Sequence, residues 1–363
     1  MSLTQAPPPP PPQAKPTSRF IEFKSNKEDE IKRRKTCRFI EEAGRVLKLP
    51  RVAISTAEVF FHRFYAKHSF QDHDRFEVAV AAIVLAAKTE EAPKKLNNVI
   101  QECFKLKARG MQAGRISQQK LDDGSSPPPP PSIQATTAGL DPKGEEFLKL
   151  KDRILLLERI ILHTIGFELS IDHPYKFFVE QIKKLIFTRK LRYTKTPAAL
   201  ANSSTKDVMS KMMNELVQYS MSLANDSYQT SLCLQFSPEE IATACVYLAC
   251  QFAGVEPANA ADWKTTLGDP DVDALFSICV QILDLISDKK ASDMENVKKI
   301  RAALELMRTR DEQAAAAAQQ AVSEQESTKA NLSPKPDPGA TPPPPPPPAP
   351  TDDGNPNKRP RFG

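Results

Sequence analysis

The sequence is poor in several residue types, and each shortage removes a class of function. Its 363 residues include 12 glycines, none of them spaced as a phosphate-cradling loop or a nucleophile elbow. Six cysteines (Cys37, Cys103, Cys233, Cys245, Cys250, Cys279) contain no CxxC pair, so neither a disulfide framework nor a zinc site is indicated. They read as reduced core thiols of an intracellular protein. The five histidines (His62, His68, His73, His163, His173) lack metal-ligand spacing. No cofactor, metal or catalytic residue is expected, and the chain is not read as an enzyme. Charge of one sign is lacking too: 50 basic against 45 acidic side chains leave +5, too close to balance to argue for nucleic-acid binding. The longest apolar runs fall short of the roughly 18 residues a membrane span needs, and residues 1–16 have no apolar core of a signal peptide.

Proline is what the chain has in excess. Of 33 prolines, 18 sit in three runs, Pro7–Pro12, Pro127–Pro131 and Pro342–Pro348. Such runs form solvated polyproline helix and bury nothing. About 260 residues remain for packed structure, enough for two ordinary domains.

Those residues read as helices. "SNKEDEIKRRKTCRFIEEAGRVLKL" places Ile31, Phe39, Ile40, Ala43, Val46 and Leu47 on one side, with acids near its start. "AISTAEVFFHRFYAKHSF" follows Pro50. "DRFEVAVAAIVLAAK" is apolar all round, which marks a helix enclosed by others. "KKLNNVIQECFKLKARG" is amphipathic, with Gly110 expected as its C-cap. Residues 111–144 are polar and proline-rich and read as a disordered insertion. A fifth helix, "EEFLKLKDRILLLERIILHTIGF", ends a first series. A second series runs through "PYKFFVEQIKKLIF", "STKDVMSKMMNELVQYSMSLAND", "SPEEIATACVYLACQFAG", a weaker segment around Trp263, and "DVDALFSICVQILDLISD". Ser237, Glu240 and Pro238 give the third of these a capping-box start. Strand signals are short and isolated, as in "SLCLQF". The stretch "KRRK" at Lys32–Lys35 is read as a solvated helix face.

Two blocks of five helices suggest duplication. Setting Glu77 opposite Glu240 brings Ala79 onto Ala242, Ala81 onto Ala244, Leu85 onto Leu248 and Ala86 onto Ala249. Lys88 then falls opposite Gln251. The fold therefore does not by itself demand a lysine at this helix end. Two readings stay open: a lysine favourable beside the last carbonyls of a helix, or a cation on a rigid helix aimed at a partner.

"LAAKTEE" resembles the signature of the cyclin box. "FFHRFY" at Phe60–Tyr65, "LERIILHTIGFEL" at Leu157–Leu169, "HPYKFF" at His173–Phe178 and "NDSYQTSLCLQFSPEEIATACVYLA" at Asn225–Ala249 resemble the transcriptional cyclins of the K and T kinds and their fungal counterparts. The likeness covers about residues 20–288. It implies an all-α fold of two tandem five-helix cyclin boxes with disordered arms. The expected division is an arm at 1–19, a first box at 20–169 holding the 111–144 insertion, a second box at 170–289, a trailing helix at 290–310 and a disordered tail at 311–363.

The resemblance implies a regulatory subunit that binds and activates a transcriptional cyclin-dependent kinase. It implies RNA polymerase II as substrate of the complex, through its C-terminal heptad repeats, and a role in transcription elongation. By motif position Lys88 and Glu158 grip the kinase backbone, with Glu91, Leu162, Phe167 and Leu169 as further contacts. A carboxylate at Glu158 amid "ILLLERIIL" would be costly without a partner; the bland alternative is a surface pair with Arg159 or Lys151. His62 matches a structural position of the transcriptional branch and is read as core. The hydrophobic docking patch of cell-cycle cyclins is not carried over, because the corresponding stretch here, Lys32–Thr36, is basic. Lys358, Arg359 and Arg361 form a short basic cluster read as a nuclear-localisation candidate, and the protein is expected in the nucleus. No direct nucleic-acid partner and no membrane are expected. The alternatives are a splicing-associated cyclin, which usually bears an Arg/Ser-rich tail, and a cyclin-fold general transcription factor binding DNA, which usually bears a zinc ribbon. The sequence leaves open which kinase is bound and whether a third subunit joins.

Overall fold

The computed structural model describes residues 26–122, 141–195, 203–258, 262–287 and 294–331. The described residues up to Asp311 form one compact unit, and those of a second unit, 312–331, are helical. Among the described residues there are twelve helices and one two-stranded ladder, so the fold is all-α as expected.

The first series runs α1 (Lys27–Val46), α2 (Arg51–Phe64), α3 (Arg75–Thr89), α4 (Leu96–Asp122) and α5 (Glu145–Thr164). Local chemistry sets the starts. The Asn26 side chain accepts from the Asp29 amide at 2.7 Å and three acids occupy the first turn of α1. Asp74 caps α3 by accepting from the amides of Phe76 and Glu77 at 2.9 and 3.0 Å. All ten residues Val78–Ala87 are buried, and α3 packs against α1, α2, α4 and α5. Its alanines let neighbours approach closely. Each fully buried Val, Leu or Ile contributes roughly 1.5–3 kcal/mol. This helix is therefore a rigid rod, and whatever stands at its end is held firmly.

The second series runs α6 (Pro174–Phe187), β1 (Leu191–Tyr193), α7 (Thr205–Ser227), α8 (Leu232–Gln235), α9 (Pro238–Ala253), β2 (Val255–Pro257), α10 (Trp263–Leu267), α11 (Val272–Ser287) and α12 (Met294–Asn331). Helix α9 is the counterpart of α3, enclosed by α6, α7 and α11. The capping box is formed: the Ser237 amide donates to Glu240 Oε2 at 2.8 Å, and the Glu240 amide to Ser237 Oγ at 3.2 Å. Two apolar clusters result, one drawn from residues 37–165 and one from 178–304.

Three readings need correction. Helix α4 does not stop at Gly110 but continues to Asp122, so the first twelve residues of the supposed insertion are helical. An added Cβ at Gly110 would meet nothing within 4 Å. The glycine is an exposed interior position, tolerated at about 1 kcal/mol relative to alanine. "SLCLQF" contributes the helical turn α8, not a strand. The ladder lies elsewhere, with Arg192 opposite Glu256 in the antiparallel pair β1–β2. The trailing helix does not stop at residue 310 but runs to Asn331, so residues 311–331 of the expected disordered tail are helical.

Candidate functional site

Helices α3 and α5 lie side by side, and their C-terminal ends carry the residues singled out from sequence. Lys88 stands one residue after the ten-residue buried run. Its ammonium donates to Glu158 Oε1 at 2.6 Å. The lysine side chain is 55% exposed and the glutamate 10%, so the carboxylate lies at the floor and the cation at the rim. The partners considered for Glu158, Arg159 and Lys151, are not the ones it takes. One ammonium proton is committed to Glu158; the other two, and Glu158 Oε2, make no hydrogen bond among the described residues. Donors and an acceptor thus stand together, the pairing a backbone segment offering both C=O and N–H would satisfy.

Both helices end in the same way. At α3 the Ala92 amide donates to Ala87 O (2.9 Å) and the Glu91 amide to Lys88 O (3.3 Å). At α5 the Phe167 amide donates to Leu162 O (3.0 Å) and the Gly166 amide to His163 O (3.1 Å). These are Schellman closures, which place the residue after the cap in the left-handed region, usually as glycine. Gly166 fits, at φ 64°. Glu91 (φ 54°) and the next residue of the second turn, Phe167 (φ 60°), are side chains held where L-residues are strained. Glu91 is exposed and pairs with no cation among the described residues. Phe167 is 60% exposed, its ring edge-on to His163 at 5.2 Å between centroids. Leu162 and Leu169 are half-buried against the first core.

Sequence reasoning missed the leucines beside them. Leu148 and Leu155 are exposed and, with Leu162, follow a seven-residue spacing down one face of α5; Leu156 is exposed nearby. The run "ILLLERIIL" holds more apolar side chains than one helix face can bury, and that excess was the available signal. Exposed leucines flanking a part-buried ion pair make a surface suited to a protein partner.

His62 is fully buried, as expected of a core residue. Burial, and then the charge of Arg33, lower its pKa to about 3, so it stays neutral. Its Nε2 donates to Tyr228 O at 2.8 Å. The "KRRK" stretch divides: Lys32 pairs with Glu28 at 2.8 Å, but Arg33 is 2% exposed and donates to Tyr65 O at 2.6 Å. Arg33 is part of the core, which corrects the reading of a wholly solvated face. Among the described residues no three His, Cys, Asp or Glu side chains gather as metal ligands, and no helix is long and apolar enough to cross a membrane. Lys358, Arg359 and Arg361 lie outside the described residues.

Known proteins similar to this chain are cyclins. Residues 12–170 match the cyclin N-terminal domain and residues 202–272 the cyclin-T2-like C-terminal domain. The chain is 34% identical over 265 residues to Cyclin-K of Homo sapiens, covering 71% of this chain and 37% of that one. It is 32% identical over 232 residues to Cyclin-T1-3 of Oryza sativa subsp. japonica, covering 63% and 37%. The chain thus spans well under two thirds of the length of these relatives. Among solved structures, a chain of the yeast RNA Pol II CTD kinase CTDK-1 complex superposes with TM-score 0.47 at 15% identity, over 72% of this chain and 67% of that one. With matches to both cyclin domains in sequence order, the chain belongs to the cyclin family.

Proposed function

We propose that this chain is the regulatory subunit of a transcriptional cyclin-dependent kinase, which it binds and activates in the nucleus. The complex phosphorylates the C-terminal heptad repeats of RNA polymerase II and promotes elongation. The chain itself performs no catalysis. Its division into a first box at 20–169 and a second at 170–289 is part of the same reading.

The observation that carries it is the Lys88–Glu158 pair at 2.6 Å, set where the last turn of α3 lies against α5 and flanked by exposed Leu155 and Phe167. The kinase backbone laid against this surface where one of its helices ends offers that helix's last carbonyls to Lys88 and N–H groups of the segment that follows to Glu158. Apolar side chains of the kinase cover the leucines and Phe167. Docking on a rigid platform pushes the kinase helix inward and completes the Lys–Glu ion pair that orders the ATP phosphates. The sequence likeness to Cyclin-K and Cyclin-T1-3 supports the transcriptional assignment.

The test is purification of tagged chain from cells of its source organism, wild type beside a Lys88→Glu, Glu158→Arg double variant. The bound kinase is identified and assayed on heptad peptides. Recovery of an active kinase by the wild type alone, with both proteins folded, is the expected result. Equal recovery by both, or by neither, refutes the reading. A gel shift with duplex DNA excludes the transcription-factor alternative if binding is weak and vanishes with salt.

A further inference from the structure

The turn that carries Lys88 and Glu91 is tied to the second helical series by a chain of hydrogen bonds that the kinase-binding reading does not use. Glu90 is the C-cap of α3, between the two proposed contact residues. Thr56 Oγ1, on α2, donates to Glu90 Oε1 at 2.7 Å. The same hydroxyl lies 2.9 Å from His173 Nε2. Tyr228 OH lies 2.6 Å from His173 Nδ1.

Proton accounting fixes the direction. A threonine hydroxyl has one proton, and it goes to the carboxylate, so Thr56 accepts from His173 Nε2–H. His173 Nδ1 is then an acceptor and takes the Tyr228 proton. The chain runs Tyr228 to His173 to Thr56 to Glu90, every link donating the same way and ending on a negative charge. Linked bonds of this kind polarise and strengthen one another. His173 must be neutral to take part. Burial first, and the charge of Arg51 second, bring its pKa down to about 4, against a smaller opposing pull from Asp172.

The placement is unusual in cost. Thr56, His173 and Tyr228 are all buried, and a buried polar group is costly unless fully partnered. Tyr228 caps α7 and His173 precedes α6, so these two belong to the second series, while Thr56 and Glu90 belong to the first. The turn they reach is one that needs holding, because Glu91 occupies a left-handed conformation without being glycine.

We infer that Thr56, His173 and Tyr228 are positioning residues: through Glu90 they let the second box hold the turn that presents Lys88 and Glu91 to the partner. The inference rests on the proposed kinase-binding role for its consequence, and on the hydrogen-bond chain alone for its mechanism.

The experiment uses the full chain as wild type, Thr56→Val, Thr56→Ser, Glu90→Ala and the Thr56→Val/Glu90→Ala double variant. Hydrogen exchange is followed at the Glu90, Glu91 and Ala92 amides, with the α11 amides as internal control. Affinity is measured for the kinase recovered on the wild type. Thr56→Val is expected to speed exchange at the three turn amides by about tenfold, the loss of one charge-assisted bond, with α11 unchanged. Thr56→Ser, which keeps the hydroxyl, restores protection. Kinase affinity falls about tenfold in step with exchange. The double variant binds no more weakly than either single one, since both cut the same chain. Glu90→Ala, altered at the half-exposed end, serves should Thr56→Val not fold. Unchanged exchange at the turn overturns the inference, as does a Thr56→Ser variant that behaves like valine. Additive losses do so too, because they make Glu90 a direct contact. If the wild type retains no kinase yet the turn loosens as described, the kinase reading falls and the positioning chain stands.

Discussion

Lys88 and Glu158, 70 residues apart in the chain, meet at 2.6 Å where the last turn of α3 lies against α5. An internal salt bridge and a partner-binding pair predict different results when their charges are exchanged. Lys88 is more than half exposed, so the bridge contributes at most about 1 kcal/mol to stability. The Lys88→Glu, Glu158→Arg double variant is expected to melt within a few degrees of wild type, because the pair reforms in reverse. Kinase recovery is expected to be lost, because a backbone presents its carbonyls and N–H groups in fixed places. Thermal unfolding and co-purification on the same samples decide it; restored kinase binding in the swapped protein sinks the assignment.

Phe167 combines exposure with a left-handed backbone, and two substitutions separate its roles. Phe167→Gly relieves a conformation costing about 1–2 kcal/mol and should not lower the melting temperature. Phe167→Ala keeps the strain and removes the ring. Both should weaken kinase binding by about 2 kcal/mol or more, the loss typical of an aromatic anchor. Calorimetry gives the first quantity and titration with purified kinase the second. An alanine variant that binds as wild type removes Phe167 from the interface.

How much of this was legible in the sequence varies residue by residue. The all-round apolar run Val78–Ala87 announced an enclosed helix, and the Ser237–Glu240 capping box announced a helix start, because both are local patterns. The mutual pairing of Lys88 with Glu158 was not legible. The charges near Glu158 on its own helix are Arg159, adjacent in the chain, and Lys151, two turns earlier, whereas α3 supplies its partner across the helix interface. The hydrogen-bond chain through His173 escaped for the same reason: its links join residues 34, 117 and 55 positions apart. Gly110 misled because a glycine in an exposed helix is cheap enough to keep, and the polar residues after it are good helix formers. Arg33 misled because a buried arginine and a solvated one look alike in a basic run.

Gly44 in α1 illustrates a constraint visible only in three dimensions. A Cβ placed there would stand 2.5 Å from Ile54 Cγ1 and 2.7 Å from its Cδ1, on α2. The Ile54 side chain fills the space that a Cβ on residue 44 would take. Gly44→Ala should destabilise the protein by about 1–3 kcal/mol, the usual cost of overpacking, despite alanine's better helix propensity. Denaturant melts measure it. Pairing the change with Ile54→Ala, which removes the clashing atoms, should recover part of the loss beyond the sum of the single effects. Strict additivity would mean that the clash is relieved elsewhere.

Glu58 makes stability depend on pH. The side chain is buried in α2, with Oε2 accepting from Arg51 Nη2 at 2.9 Å and Oε1 without a partner among the described residues. Burial raises its pKa to about 8, and the neighbouring Arg51 charge only partly opposes this, with Glu41 and Asp226 adding to the rise. In the unfolded chain an ordinary glutamate titrates near 4.3. Between about 4.3 and 8 the folded protein therefore keeps this proton where the unfolded one has lost it, so the Glu58 contribution to stability falls as pH rises through that window. The contribution is complete below the unfolded value and lost above the folded one. Glu58→Gln keeps the shape and the acceptor for Arg51 but cannot titrate. The unfolding free energy of wild type relative to this variant should fall between pH 5 and 8, both proteins being measured in the same denaturant series; the opposite pull of the neutral buried His62 and His173 is common to both and cancels. At pH 8 and above the glutamine variant should equal or exceed wild type, because no buried charge has to be formed. A wild type that instead gains on the glutamine variant from pH 5 to 8 would mean that the Arg51 pairing outweighs desolvation and that Glu58 is ionised in the fold.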